Sequence, residues 1–164
     1  MKHLSTAALL ALLPTLAFAE APSPLGASGG KFGDWTAATF GTGAATVCYA
    51  FTTPQISKPN WKTRGKAMLT VTERSGVRDE VTLTPGYTYP QKATVSLTIG
   101  KQNLPFYISG GTAFTTDGAQ IIAAFRKADS ATAKSTGPHG HPVEDQFSLT
   151  GFSAAYAAIT HACP

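Results

Sequence analysis

Apolar and hydroxyl-bearing residues alternate over several stretches of this chain. Ala67, Leu69 and Val71 alternate with Met68, Thr70 and Thr72 between Lys66 and Glu73, and Val81-Thr82-Leu83 and Val95-Ser96-Leu97-Thr98-Ile99 repeat the pattern. A period of two predicts strands with one face packed on a core and the other in water. Ser130–Thr136 and Gln146–Thr150 read as further strands, and Ser75-Gly76, Pro85-Gly86, Gly100 and Gly110-Gly111 read as the turns between strands. Two segments have a helical period instead. Asp117 is placed to cap a helix over Gly118–Lys127, with Ile121, Ile122 and Phe125 on one side and bases at its end. Phe152, Tyr156 and Ile159 have helical spacing in the Ala-rich run Phe152–Ala162. The predicted fold class is mainly β: an antiparallel β-sandwich or flattened barrel with two short helices.

The N-terminus follows a different logic. Lys2 gives a basic start, Leu4–Leu13 is almost continuously apolar, and Ala17-Phe18-Ala19 supplies a small-x-small site. That arrangement describes a secretory signal peptide over residues 1–19. Residues 20–31, rich in Pro, Gly and Ser, read as a flexible leader, and residues 32–164 as a single domain. No cysteine follows the cleavage site to carry a lipid, and no transmembrane segment is expected after cleavage. The expected location is periplasmic or secreted. In such an oxidising compartment the two cysteines, Cys48 and Cys163, read as a structural disulfide; neither has a CxxC neighbour.

Composition narrows the function classes. With 164 residues, 43% hydrophobic and 13% charged, the chain is one domain's worth and too rich in Gly and Pro for a coiled coil. A net charge of +4 is modest, and with export it argues against nucleic acid as a partner.

An ordered series of short motifs carries a family resemblance. Phe32-Gly33-Asp34-Trp35 opens the domain and Cys48-Tyr49-Ala50 follows a short loop. Arg78-Asp79-Glu80-Val81 leads to Pro85-Gly86-Tyr87, then Ile122–Lys127, the stretch Phe147–Ala155 and the final Cys163. Over roughly Phe32 to Cys163 this series resembles the invasion-associated locus B family of exported bacterial proteins. The resemblance implies an envelope-associated protein, with entry into host cells attached to the family's namesake and no agreed catalytic chemistry. Many members carry a further cysteine soon after the Asp-Trp pair; here that region is Thr36-Ala37-Ala38-Thr39, which leaves no second disulfide. Asp34 and Trp35 are expected to serve the fold, Trp35 as a core aromatic near the bridge.

Three constellations could carry chemistry. His139-Gly140-His141, with Glu144 and Asp145 nearby, offers two imidazoles for Cu²⁺ or Zn²⁺, although Pro138 and Pro142 flank the pair and no third ligand is defined. Lys58, Lys62, Arg64 and Lys66 surround Trp61 with no acid in the segment, which suits an envelope or host protein, or an anionic surface. There Trp61 would be the apolar anchor and the four cations the electrostatic guide; a Trp61 folded onto the core is the competing expectation. Catalysis has the weakest support. Gly151-Phe152-Ser153-Ala154-Ala155 lacks the second Gly of a nucleophile elbow, and Asp79 and Glu80, adjacent on a strand, point to opposite faces. No phosphate-cradling loop is present, so the expected function is a non-catalytic interaction module without cofactor, with metal binding as the alternative.

Overall fold

Alternation of buried and solvent-facing residues builds most of the molecule. The computed structural model describes residues 21–164, so the signal peptide expected over residues 1–19 lies outside the described residues. Twelve strands occur among them: β1 (Ser23–Pro24), β2 (Lys31–Phe32), β3 (Trp35–Phe40), β4 (Val47–Thr52), β5 (Ile56–Lys58), β6 (Met68–Arg74), β7 (Val77–Thr84), β8 (Val95–Ile99), β9 (Gln102–Ser109), β10 (Thr112–Phe114), β11 (Ser130–Thr136) and β12 (Pro142–Ser148). Two helices, α1 (Gly118–Phe125) and α2 (Phe152–Ala162), complete the fold.

All pairings are antiparallel, in the order β1-β3-β4-β6-β7-β10-β9-β8-β11-β12-β5, with β2 folded back on β3. The sheet does not close, and β9, paired with both β10 and β8, carries the chain from one layer to the other. This is the β-sandwich-like arrangement that the alternation predicts. Its inner faces carry Leu69, Val71, Val81, Leu83, Val95, Leu97 and Ile99, all buried. Burying one face per strand is what a hydroxyl-rich outer face permits.

Local chemistry sets the helix ends. Asp117 accepts from the Gln120 amide at 3.0 Å, as a capping side chain should, and α1 stops at Phe125, two residues before the expected Lys127. α2 occupies the span its periodicity predicts and lies over β3 and β4. Trp35 is fully buried under it, with its ring centroid 5.0 Å from Phe152 and 6.2 Å from Phe125. Its indole N–H donates to the Ser148 carbonyl at 3.1 Å. Cys48 and Cys163 form the disulfide, which fastens the end of α2 to β4. Gly33 and Gly151 meet where the β2–β3 turn crosses the start of α2. Gly151 has φ +88°, and a Cβ there would lie 1.9 Å from the Phe32 carbonyl oxygen, so only glycine fits.

Three segments differ from expectation. The leader is tied down: Ser23 and Pro24 pair with Thr39 and Ala38, and the Leu25 amide donates to the Ala37 carbonyl at 2.9 Å. β12 begins at Pro142, four residues before the predicted start, because Asp145 is buried inside it. β9 contains Pro105, which faces Ser96 where β10 no longer runs alongside, so the missing N–H leaves no ladder position empty.

Candidate functional site

The basic segment and the histidine turn, far apart in sequence, meet at one end of the molecule because β5 pairs with β12. Ser57 lies opposite Asp145 and Lys58 opposite Glu144. The chain then leaves β5 through Pro59 and Asn60, passes Trp61 and Arg64, and returns to β6, where the Gly65 amide donates to the Gly86 carbonyl at 2.9 Å. Gly86 has φ +75°, and a Cβ there would lie 2.2 Å from the Gly65 carbonyl oxygen, so glycine is required for the two loops to touch.

Arg64 is not the exposed guide that its neighbours suggest. Its side chain is 6% exposed and makes a bidentate pair with Asp145, at 2.8 Å to Oδ1 and 2.6 Å to Oδ2. Its Nε donates to the Pro85 carbonyl at 2.6 Å, and Ser57 Oγ donates to Asp145 Oδ1 at 2.7 Å. A buried bidentate pair in which every guanidinium nitrogen and both carboxylate oxygens have a partner is a structural element. The compensating acid absent from the segment is supplied by β12, which removes Arg64 from the partner-binding set.

Trp61 lies between the two expectations made for it. It is partly buried, edge-on to Tyr87 at 5.6 Å between centroids, and the Arg64 guanidinium sits 5.8 Å from its ring and 5.4 Å from that of Tyr87. Tyr87 hydrogen-bonds Ser135 Oγ at 2.7 Å, and burial raises its phenol pKa, so it stays protonated at neutral pH. Trp61, Arg64 and Tyr87 thus form a fixed aromatic–guanidinium platform.

Two open grooves share Trp61 and Arg64. One, of about 470 Å³, runs past Phe51, Pro54, Asn60, Trp61, Lys66 and Met68. The other, of about 370 Å³, lies between Trp61, Thr63 and Tyr87 on one side and Pro138, His139 and His141 on the other. Lys62 and Lys66 are exposed and form no ion pair among the described residues. Lys58 is separated from this set: it lines a third groove with Lys134 and Glu144, on the outside of β11 and β12.

His139 and His141 are exposed on a tight turn, with His139 at φ +57° and the Gly137 amide donating to the His141 carbonyl at 2.7 Å. The carboxylates expected beside them are engaged elsewhere, Asp145 with Arg64 and Glu144 facing Lys134 at 3.9 Å. Among the described residues no group of three or more His, Cys, Asp and Glu side chains is placed to hold a metal ion.

A second polar cluster gathers Arg78 and Asp79 around Glu73, for which no role was expected. Glu73 is completely buried on β6, with Arg78 Nε 2.8 Å from its Oε2 and the Asp79 amide donating to its Oε1 at 3.1 Å. Tyr156 on α2 donates to Asp79, and Arg78 also donates to the Cys163 carbonyl at 2.5 Å. Burial pushes the Glu73 pKa up, against the pull of the Asp79 amide and the Arg78 charge. Glu80 points the other way, to Arg74 at 2.9 Å, so Asp79 and Glu80 do face opposite sides. The cluster ties β6, β7 and α2 together beside the disulfide.

Comparison with known proteins places this geometry in a family. A search of the curated proteins finds no match. The crystal structure of invasion associated protein b from Bartonella henselae matches with a TM-score of 0.59 at 17% identity, covering 80% of this chain and 95% of that one. At that identity the likeness concerns the fold. A family model described as invasion associated locus B (IalB) protein matches residues 35–160, which is most of the chain. The chain belongs to the invasion associated locus B family.

Proposed function

We propose that the protein is an exported, non-catalytic interaction module of the bacterial envelope or host-facing surface, and that the Trp61 end of the sandwich receives an anionic partner. Family membership and the Cys48–Cys163 disulfide support a location outside the cytoplasm, periplasmic or secreted. Among the described residues no helix is long and apolar enough to cross a membrane.

One observation carries the reading of the site. The charge of Arg64 is neutralised internally and its guanidinium sits against Trp61 and Tyr87, while Lys62 and Lys66 stand exposed beside them with no ion pair among the described residues. A rigid aromatic with solvated cations at its border offers apolar contact and electrostatic steering without an ordering cost in the platform. No observation favours the histidine pair as a metal site over its role as a groove wall.

The test is a binding panel of phosphatidylglycerol vesicles, oligogalacturonate and polyglutamate at about 0.15 M salt, where exposed charges are screened beyond about 8 Å. The wild type binds at least one probe, and Lys62→Gln/Lys66→Gln abolishes that binding without moving the melting temperature. Failure to bind any of the three, or binding indifferent to the double substitution, contradicts the assignment.

A further inference from the structure

We infer that the ligand of this surface is an acidic glycan, a uronate-bearing oligosaccharide lying across Trp61 with a sugar in each flanking groove. This deepens the proposed function and rests on it. The two grooves, of about 470 and 370 Å³, share Trp61 and Arg64 and fall within the range of about 300–1,000 Å³ typical of small-ligand sites. A chain of rings therefore has two adjoining seats with an aromatic between them. An electron-rich aromatic ring attracts the polarised C–H groups of a sugar, and Trp61, which lines both grooves, is held in place by its edge-on contact with Tyr87 and by the Arg64 guanidinium.

The polar lining matches the same class. Asn60 in one groove and Thr63, His139 and His141 in the other offer hydrogen-bonding groups to hydroxyls. Arg64 has its Nε and both terminal nitrogens engaged by Pro85 and Asp145, so a ligand's carboxylates fall to Lys66, which lines the first groove, and to neighbouring Lys62.

Other anionic partners fit less well. A bilayer is met by a protruding aromatic, whereas Trp61 is partly buried in a concave wall. An extended acidic peptide would add to the free edge of β5, but that edge is three residues long, carries Lys58 and runs directly into Pro59, features that block strand addition.

Calorimetry and intrinsic fluorescence with oligogalacturonate, set against a neutral cello-oligosaccharide, polyglutamate and phosphatidylglycerol vesicles, test the inference. The expected result is saturable binding of oligogalacturonate alone, weakened at least about tenfold in Trp61→Ala and in Lys62→Gln/Lys66→Gln. The double variant keeps the test decisive if Trp61→Ala folds poorly. Equal or tighter binding of polyglutamate or vesicles overturns the glycan and leaves the anionic surface standing. No binding of any anionic probe overturns both, and oligogalacturonate binding unchanged in both variants places the glycan elsewhere and overturns the site.

Discussion

Truncating Arg64 would strip Asp145 of its cation while leaving the carboxylate buried, with Ser57 the one remaining donor among the described residues. Removing one partner of a buried ion pair costs about 3–5 kcal/mol, so Arg64→Ala should lower the urea midpoint steeply. Lys62→Gln and Lys66→Gln, on exposed side chains, should each stay within about 0.5 kcal/mol of wild type. A comparable loss in all three would mean that the cations act as one set after all. Sequence put Arg64 with the lysines because its partner lies 81 residues away, on a strand whose pairing with β5 no local pattern reveals. Glu73 yields a prediction with a definite sign. Its folded pKa is raised above the ordinary 4.5, so the folded state holds the proton to higher pH than the unfolded chain does. The stability this supplies is full below the unfolded value and is lost as pH rises through the folded one. The wild type should therefore lose ground to Glu73→Gln in denaturation midpoint as pH rises above the ordinary 4.5. A difference that is flat or opposite in sign over that range contradicts a raised pKa.

At the scale of elements, the disulfide and the Arg78 contacts both act on the end of α2. Replacing both cysteines by alanine should cost about 2–5 kcal/mol and speed amide exchange in the last turn of α2 before it affects β6 or β7. Exchange that rises evenly over the sheet would show that the bridge constrains the whole chain and not that helix. The junction of the two site loops is equally specific. Gly86→Ala places a methyl against the Gly65 carbonyl in a positive-φ conformation, and should cost more than about 1 kcal/mol in thermal melts. Elements with a strong period were legible: β6, β8 and α2 lie where alternation or helical spacing placed them, and Val81-Thr82-Leu83 marks the second half of β7. The start of β12 was hidden because Glu144 and Asp145 break the apolar pattern, and the burial of Asp145 depends on Arg64. β9 was hidden by Pro105, which is tolerated only because β10 is too short to reach it.

At the scale of the whole molecule, the sandwich brings three loops to one end: the return from β5 to β6, the turn after β7, and the turn between β11 and β12. Residues 61–66, 85–87 and 138–141 become neighbours only once the strand order places β5 beside β12 and β12 beside β11. Sequence could therefore nominate Trp61 and the histidines separately but could not join them, and it could not separate Lys58 into another groove. The chain has two tryptophans, and the fold gives them opposite roles: Trp35 is sealed in the core with its N–H on Ser148, whereas Trp61 borders both grooves. Their indole N–H resonances in a ¹⁵N-labelled sample report the two roles at once. Titration with oligogalacturonate, a short-chain phosphatidylglycerol and tetraglutamate in turn should give at least one probe that shifts the Trp61 signal saturably, together with the Lys62 and Lys66 amides, while Trp35 stays still. A Trp61 signal unmoved by all three probes, or moved no more than that of Trp35, would contradict the assignment of this surface as the binding site.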